Sequence, residues 1–280
     1  MSLFSDKNTP EYIETCNREA LARREEFTRE IEGMSRTDAF HAFRLLKRKF
    51  PFFGLVSCPV GGNEPVMFTV NDDVVAWQFF WLGEYERETL SAWDEVTRST
   101  TTVLDIGAYT GLYSLIAAMN GNHAHAFELT PRTVERAKIN VTLNNLSNKI
   151  TLHPYGLSER SEQVKIFIPR NTEILGTGNA INEKEIWRQR GQTPRTTFSQ
   201  VRKFSDVLAE GQISSFEAMK VDVEGHEYEV LSSMRDALEE HRPVVIVEIS
   251  RRRRDEVFQL LAELEYRVEQ LHGLDHIAYP

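Results

Sequence analysis

Few folds can accommodate residues 103–118, Val-Leu-Asp-Ile-Gly-Ala-Tyr-Thr-Gly followed by Leu-Tyr-Ser-Leu-Ile-Ala-Ala. An apolar run ending in Asp105 reads as a buried strand, and Gly107 and Gly111 make a tight turn. The apolar segment 112–118 then reads as a helix. Glycine lets a ligand or another backbone approach closely, because it has no Cβ to block it. Its spacing excludes the dinucleotide fingerprint. That pattern needs glycines at the first, third and sixth positions, whereas here they fall at the first and fifth. A second apolar strand, His125-Ala126-Phe127, ends in Glu128, where an acid is placed to accept hydrogen bonds from ribose hydroxyls. Backbone N–H groups after Gly107 are expected to meet a carboxylate or a phosphate of the ligand.

The alternation continues. Strands are predicted at 102–106, 123–128, 149–155, 218–223, 243–249, 266–271 and 275–279, with helices at 111–120, 131–144, 226–240 and 252–264. Thr130 is expected to cap the helix opened by Pro131. Alternating strands and helices imply an α/β fold with a doubly wound, mostly parallel sheet. The stretch 163–217 interrupts the pattern with an alternating strand at 163–168 and a polar loop at 171–180. Residues 54–82 read as short strands with turns at 61–63 and 71–73, and a helix is predicted near 85–96. Residues 10–50 read as two charged helices, usable as a lid, a contact between copies of the chain, or plain packing. Residues 1–52 are thus expected to form a helical N-terminal extension and residues 53–280 the main domain.

In an open α/β sheet, ligands lie beyond the C-terminal ends of the strands, where strand order reverses. Asp105, Glu128 and Asp222 all fall at predicted strand C-termini and should face one crevice. The run Met219-Lys220-Val221-Asp222-Val223-Glu224-Gly225-His226-Glu227 delivers two carboxylates and a histidine there. Read as a strand, it points Asp222 and Glu224 to the same side. These carboxylates suit orienting a hydroxyl, accepting its proton or binding a cation, or else a helix N-terminus. His226 is a weaker candidate base. Glu248, at the end of the next strand, is placed either to join Asp222 at a cation or to line the crevice.

The formal net charge of −9 argues against nucleic acid or an anionic membrane as main partner. The longest apolar cluster, residues 74–82, is shorter than the roughly 20 residues a membrane span needs. No signal peptide is visible, and Cys16 and Cys58 are expected as buried thiols in a reducing cytoplasm.

The segments Val-Leu-Asp-Ile-Gly-Ala-Tyr-Thr-Gly, Phe-Glu-Leu-Thr-Pro and Lys-Val-Asp-Val-Glu-Gly-His-Glu-Tyr-Glu-Val-Leu, with Gly83-Glu84-Tyr85-Glu86 before them, resemble the FkbM family of S-adenosylmethionine-dependent methyltransferases. The resemblance runs from about residue 80 to 270 and omits the first 50 residues. Tyr109 stands where many other methyltransferases carry Gly, which favours the narrower family. It implies a Rossmann-like class I methyltransferase fold with a seven-stranded sheet. It also implies S-adenosylmethionine as cofactor, lined by Asp105, Gly107, Ala108, Tyr109 and Gly111. Glu128 would bind the ribose, Leu129 the adenine, and Leu157 and Ser158 its edge. Asp222 and Glu224 would lie near the transferred methyl, Glu224 being the first choice of base and His226 the second, although FkbM-like sequences also carry Ala at that position. The acceptor implied is a hydroxyl of a sugar, glycolipid or polyketide-type product. The alternatives are a divalent-cation-dependent O-methyltransferase of the same fold and a non-catalytic cofactor-binding protein. No resident metal is favoured, and a homo-oligomer is compatible with the sequence.

Overall fold

A computed structural model describes residues 9–168, 175 and 195–280. Among these, the chain divides into two compact units, one reaching to Glu86 and the other running from Arg87 to the C-terminus, with Leu175 assigned to the first.

The first unit contains helices α1 (Pro10–Glu30) and α2 (Arg36–Lys49), the antiparallel pair β1 (Phe53–Ser57) and β2 (Val66–Val70), and helix α3 (Val74–Leu82). It therefore takes in more than the two helices expected for an extension. Thr9 caps α1 and Ser35 caps α2 through their side chains. The expectation of short strands fails over 74–82. Asp73 Oδ1 accepts from the N–H groups of Val75 and Ala76, at 2.9 and 3.1 Å, and nucleates a helix that Gly83 ends in the left-handed region. The helix is apolar nearly all round, so its sequence shows no periodicity to separate helix from strand. Trp77, Phe79, Phe80 and Trp81 are core residues, Trp81 meeting Phe27 edge-on at 6.0 Å.

The second unit opens with α4 (Arg87–Thr97) and then builds the sheet from β3 (Thr102–Ile106), α5 (Leu112–Met119), β4 (His123–Phe127), α6 (Pro131–Leu143) and β5 (Ile150–His153). A three-stranded sheet follows, from β6 (Gly156–Leu157), β7 (Glu162–Ile168) and β8 (Arg195–Arg202). The loop expected at 171–180 lies outside the described residues except for Leu175. After α7 (Phe204–Ala209) the main sheet resumes with β9 (Ala218–Val221), α8 (Glu227–Ser233), α9 (Arg235–His241), β10 (Val244–Glu248), α10 (Arg254–Glu263), β11 (Arg267–His272) and β12 (Asp275–Tyr279). Thus the single helix predicted over 226–240 is two.

The main sheet has seven strands in the order β11-β12-β10-β9-β3-β4-β5. β10, β9, β3, β4 and β5 run parallel, while β12 is antiparallel to β10 and to β11. This is the doubly wound, Rossmann-like arrangement expected. From β3 the chain winds outward through β4 to β5, then returns to the opposite side of β3 as β9. The order therefore reverses between β3 and β9, which puts the crevice beyond their C-terminal ends. The core beneath it is formed by Leu104, Ile106, Phe127, Met219, Val221 and Val247. Helix α5 is buried from Leu112 to Ala118, as befits a helix flanking a sheet.

Candidate active site

The turn after β3 carries positive φ at Gly107 (85°), Tyr109 (49°) and Gly111 (93°). Gly107 is required for a further reason: a Cβ there would overlap the carbonyl oxygen of Asp222. The turn and the loop after β9 are thus in backbone contact, reinforced by Asp222 N–H donating to Ile106 O at 2.9 Å. Tyr109 occupies a left-handed conformation that costs a residue with a Cβ about 1–2 kcal/mol. That is the physical reason glycine suits this position.

Several N–H groups of the turn, expected to meet a ligand, are bonded within the chain. Gly107 and Ala108 both donate to Phe127 O, at 2.9 and 3.0 Å, and Gly111 donates to Ala108 O. Tyr109 N–H donates to Glu128 Oε2 at 2.9 Å. The first turn of α5 is served by Asp105, whose Oδ2 accepts from Ser114 N–H at 3.0 Å and Ser114 Oγ at 2.6 Å. Asp105 is 1% exposed. Burial pushes its carboxyl up to about 6, against the lowering effects of Ser114 and the Lys220 charge. The chain's own carboxylates and carbonyls therefore take up several N–H groups around this turn.

Glu128 follows β4. Its Oε1 accepts from Thr130 N–H at 2.7 Å, and the Thr130 and Thr133 hydroxyls also reach the carboxylate. Burial raises its proton affinity, and these donors oppose the rise. Thr130 stands at the N-cap of α6, but its side chain makes no capping bond there. Leu129 lies next to it, within contact of Gly156. The Leu157 side chain is 2% exposed and belongs to the core with Phe127 and Phe204.

β9 ends at Val221, so strand alternation cannot orient Asp222 and Glu224 as expected. Glu224 is exposed in a turn with φ 52°, followed by Gly225 at 95°. Gly225 N–H donates to the buried Glu227 Oε1 at 2.6 Å, which fixes this turn. Ser158, expected near adenine, meets His226, with Oγ and Nε2 2.9 Å apart. His226 Nδ1 lies 3.6 Å from Glu229 Oε2, and Arg253 Nη1 pairs with Glu229 Oε1 at 2.5 Å. Burial lowers the proton affinity of His226, with Glu229 and Glu159 opposing. Arg253 thus has a defined partner, whereas Arg251 and Arg252 are exposed.

Lys220 is a further candidate site residue, and its signal is local: a lysine within the apolar strand Ala218-Met219-Lys220-Val221 needs a charged partner when buried. It is 1% exposed, with Nζ 3.5 Å from Asp222 Oδ2 and 3.6 Å from Asp275 Oδ1. Among the described residues, no group of three or more His, Cys, Asp or Glu is placed to hold a metal. None of the described helices is long and apolar enough to cross a membrane.

A family model described as the Methyltransferase FkbM domain matches residues 105–268. Hexuronic acid methyltransferase AglP of Haloferax volcanii is 32% identical over 167 residues, covering 59% of this chain and 62% of that protein. Ribosomal protein L11 methyltransferase of Anoxybacillus flavithermus is 35% identical over 75 residues, 26% of this chain and 24% of its own. The chain thus spans less than two thirds of the length of these curated relatives. A solved structure titled methyltransferase FkbM, from Methylobacillus flagellatus, aligns at TM-score 0.45 with 18% identity, covering 65% of this chain and 44% of that one. With the matched domain covering more than half of its length, the chain belongs to the FkbM methyltransferase family.

Proposed function

We propose that the chain transfers a methyl group from S-adenosylmethionine to a hydroxyl of a sugar-like acceptor. The observation that carries this reading is the internally bonded turn after β3. Phe127 O, Glu128 and Asp105 take up the N–H groups of Gly107, Ala108, Tyr109 and Ser114, and acidic side chains follow the strand ends at Glu128, Asp222 and Glu224. Such a site disfavours an anionic nucleotide and suits a ligand with hydroxyls and positive charge. S-adenosylmethionine has a ribose, an ammonium and a sulfonium, and supplies a methyl group activated for displacement.

Gly107, Ala108, Tyr109 and Gly111 form the wall against which the cofactor lies, and Asp105 positions that wall from behind. Glu128 takes the ribose hydroxyls, a role supported by its place just after β4, beside the turn at Tyr109. Leu129 faces the adenine. Asp222 and Glu224 handle the acceptor, and His226, tied to Ser158, braces their loop. Holding donor and acceptor in line contributes several kcal/mol, up to roughly 7–11 in favourable cases. A sugar acceptor is supported by the name of the hexuronic acid methyltransferase relative.

That name also favours a second reading, methylation of a carboxylate. The acidic residues around Asp222 would repel an anionic acceptor, so the hydroxyl is preferred. Labelled-methyl transfer to neutral sugars and to hexuronic acids tests both, since an ester product is lost in mild alkali and an ether survives. Glu128→Ala should weaken S-adenosylmethionine binding at least tenfold, about 1.4 kcal/mol, by calorimetry. Near-normal affinity would remove the ribose role.

A further inference from the structure

Lys220 sits inside a buried strand, where an unpaired ammonium would cost several kcal/mol. Its partners come from separate strands: Asp222 after β9, and Asp275 in β12, whose Oδ2 also accepts from Thr89 of α4 at 2.8 Å. β9 and β10 are parallel with Val221 opposite Val247, so Asp222 and Glu248 emerge at the same level. β10 and β12 are antiparallel with Glu248 opposite Asp275. The Glu248 carboxyl lies within hydrogen-bonding reach of Asp222. One ammonium and three carboxyls therefore meet at the ends of three strands, directly beside the Asp222 carbonyl against which Gly107 packs.

With all three carboxyls ionised, this cluster would hold a large uncompensated negative charge. Two carboxyls can share a hydrogen bond only if one is protonated. Glu248 is that one: burial first, then the Asp222 charge and hydrogen bond, push it up to about 9, with Glu224 adding and Lys220 opposing. The groups facing the Asp222–Glu248 pair are Lys220 from β9, Glu224 from the following turn, Asp275 from β12, Asp105 from β3 and Glu227 from α8.

We propose that the Asp222–Glu248 pair is the proton acceptor of the methyl transfer, with Lys220 as its positioning residue. The proposal rests on the S-adenosylmethionine reading above. In the free protein the pair holds one proton, which it releases to solvent when a sulfonium cation is bound beside it. During transfer the acceptor O–H bond breaks and an O–CH3 bond forms. The S–CH3 bond breaks with its electron pair left on sulfur, and the hydroxyl proton passes to the pair. The positive charge leaves sulfur in the same step, so the pair regains its proton affinity as the proton arrives.

The test counts protons. Calorimetry of the full chain near neutral pH, in buffers of different ionisation enthalpy, should show about one proton released on binding S-adenosylmethionine and almost none on binding S-adenosylhomocysteine. From about pH 6 to 7, the wild-type preference for S-adenosylmethionine over S-adenosylhomocysteine should rise about tenfold. Glu248→Gln should abolish the proton release, flatten that pH dependence and slow single-turnover transfer. Equal proton counts for the two ligands, a flat wild-type preference, or unchanged release in a folded Glu248→Gln protein would overturn the proposal. Binding of neither ligand would overturn the cofactor reading itself. Binding and transfer without proton linkage would overturn only the pair. The wild-type preference needs no variant, so it decides the matter even if Glu248→Gln does not fold.

Discussion

At the residue scale, two glycines in one turn do different work. A Cβ on Gly107 would run into the Asp222 backbone carbonyl, which cannot swing away as a side chain can. A Cβ on Gly111 would meet Ala137 Cβ at 3.6 Å, an ordinary contact, leaving only the strain of φ 93°. Gly107→Ala is therefore expected to cost about 3–5 kcal/mol in urea unfolding, and Gly111→Ala about 1–2. Equal costs for the two would mean that the contact between the turn and the loop after β9 relaxes freely. Both glycines were legible in the sequence as a turn, but nothing local to residues 107–111 shows that Asp222 lies against the first. The same holds for Asp105. Its place at a strand end was readable, whereas its engagement with Ser114 depends on how α5 folds back over β3.

At the element scale, β4 and β5 carry a buried histidine pair. His125 Nδ1 and His153 Nε2 are 3.1 Å apart, and His153 also meets Tyr155 Oη at 3.1 Å and stacks on Phe127 at 4.4 Å between centroids. Burial, reinforced for His125 by His153 and for His153 by Arg202, lowers both to about 4. Unfolded histidine titrates near 6.5. Below that value the unfolded chain gains protons that the folded pair refuses. The stability from the pair is thus full above about pH 6.5 and is lost as pH falls through about 4, at about 1.4 kcal/mol per pH unit per proton. Asp105 and Glu248 act in the opposite sense. Their contribution is present below the unfolded carboxylate value and lost as pH rises through about 6 and about 9. The pair is therefore isolated by difference: the stability gap between wild type and a His125→Asn, His153→Gln variant should shrink on acidification from about pH 6.5 to 4. A constant gap would show that the histidines do not titrate as a buried pair. The period-2 and period-3.6 signals located most elements of the sheet, but α3 escaped because an apolar stretch without periodicity has no local signature.

At the scale of the whole molecule, acidity is a property of both the chain, with formal net charge −9, and its crevice. The carboxylates at the ends of β9, β10 and β12 are partnered by Lys220 and by each other rather than gathered around a cation position. Methyl transfer is accordingly expected to survive a chelator within about twofold, since a hard cation needs several converging oxygens. Loss of turnover restored by added divalent cation would favour the cation-dependent alternative. The sequence by itself determined the strand–turn–helix units, the winding of the sheet and the acids at the strand ends, because glycine conformation and hydrophobic periodicity are local properties. Tertiary structure alone decided which donors the chain consumes internally, that Leu157 is core, that Glu224 sits in a turn, and that Lys220, Asp222, Glu248 and Asp275 meet. Those outcomes depend on strand order and register between residues far apart in the chain, where a shift of one position moves a side chain to the opposite face of the sheet.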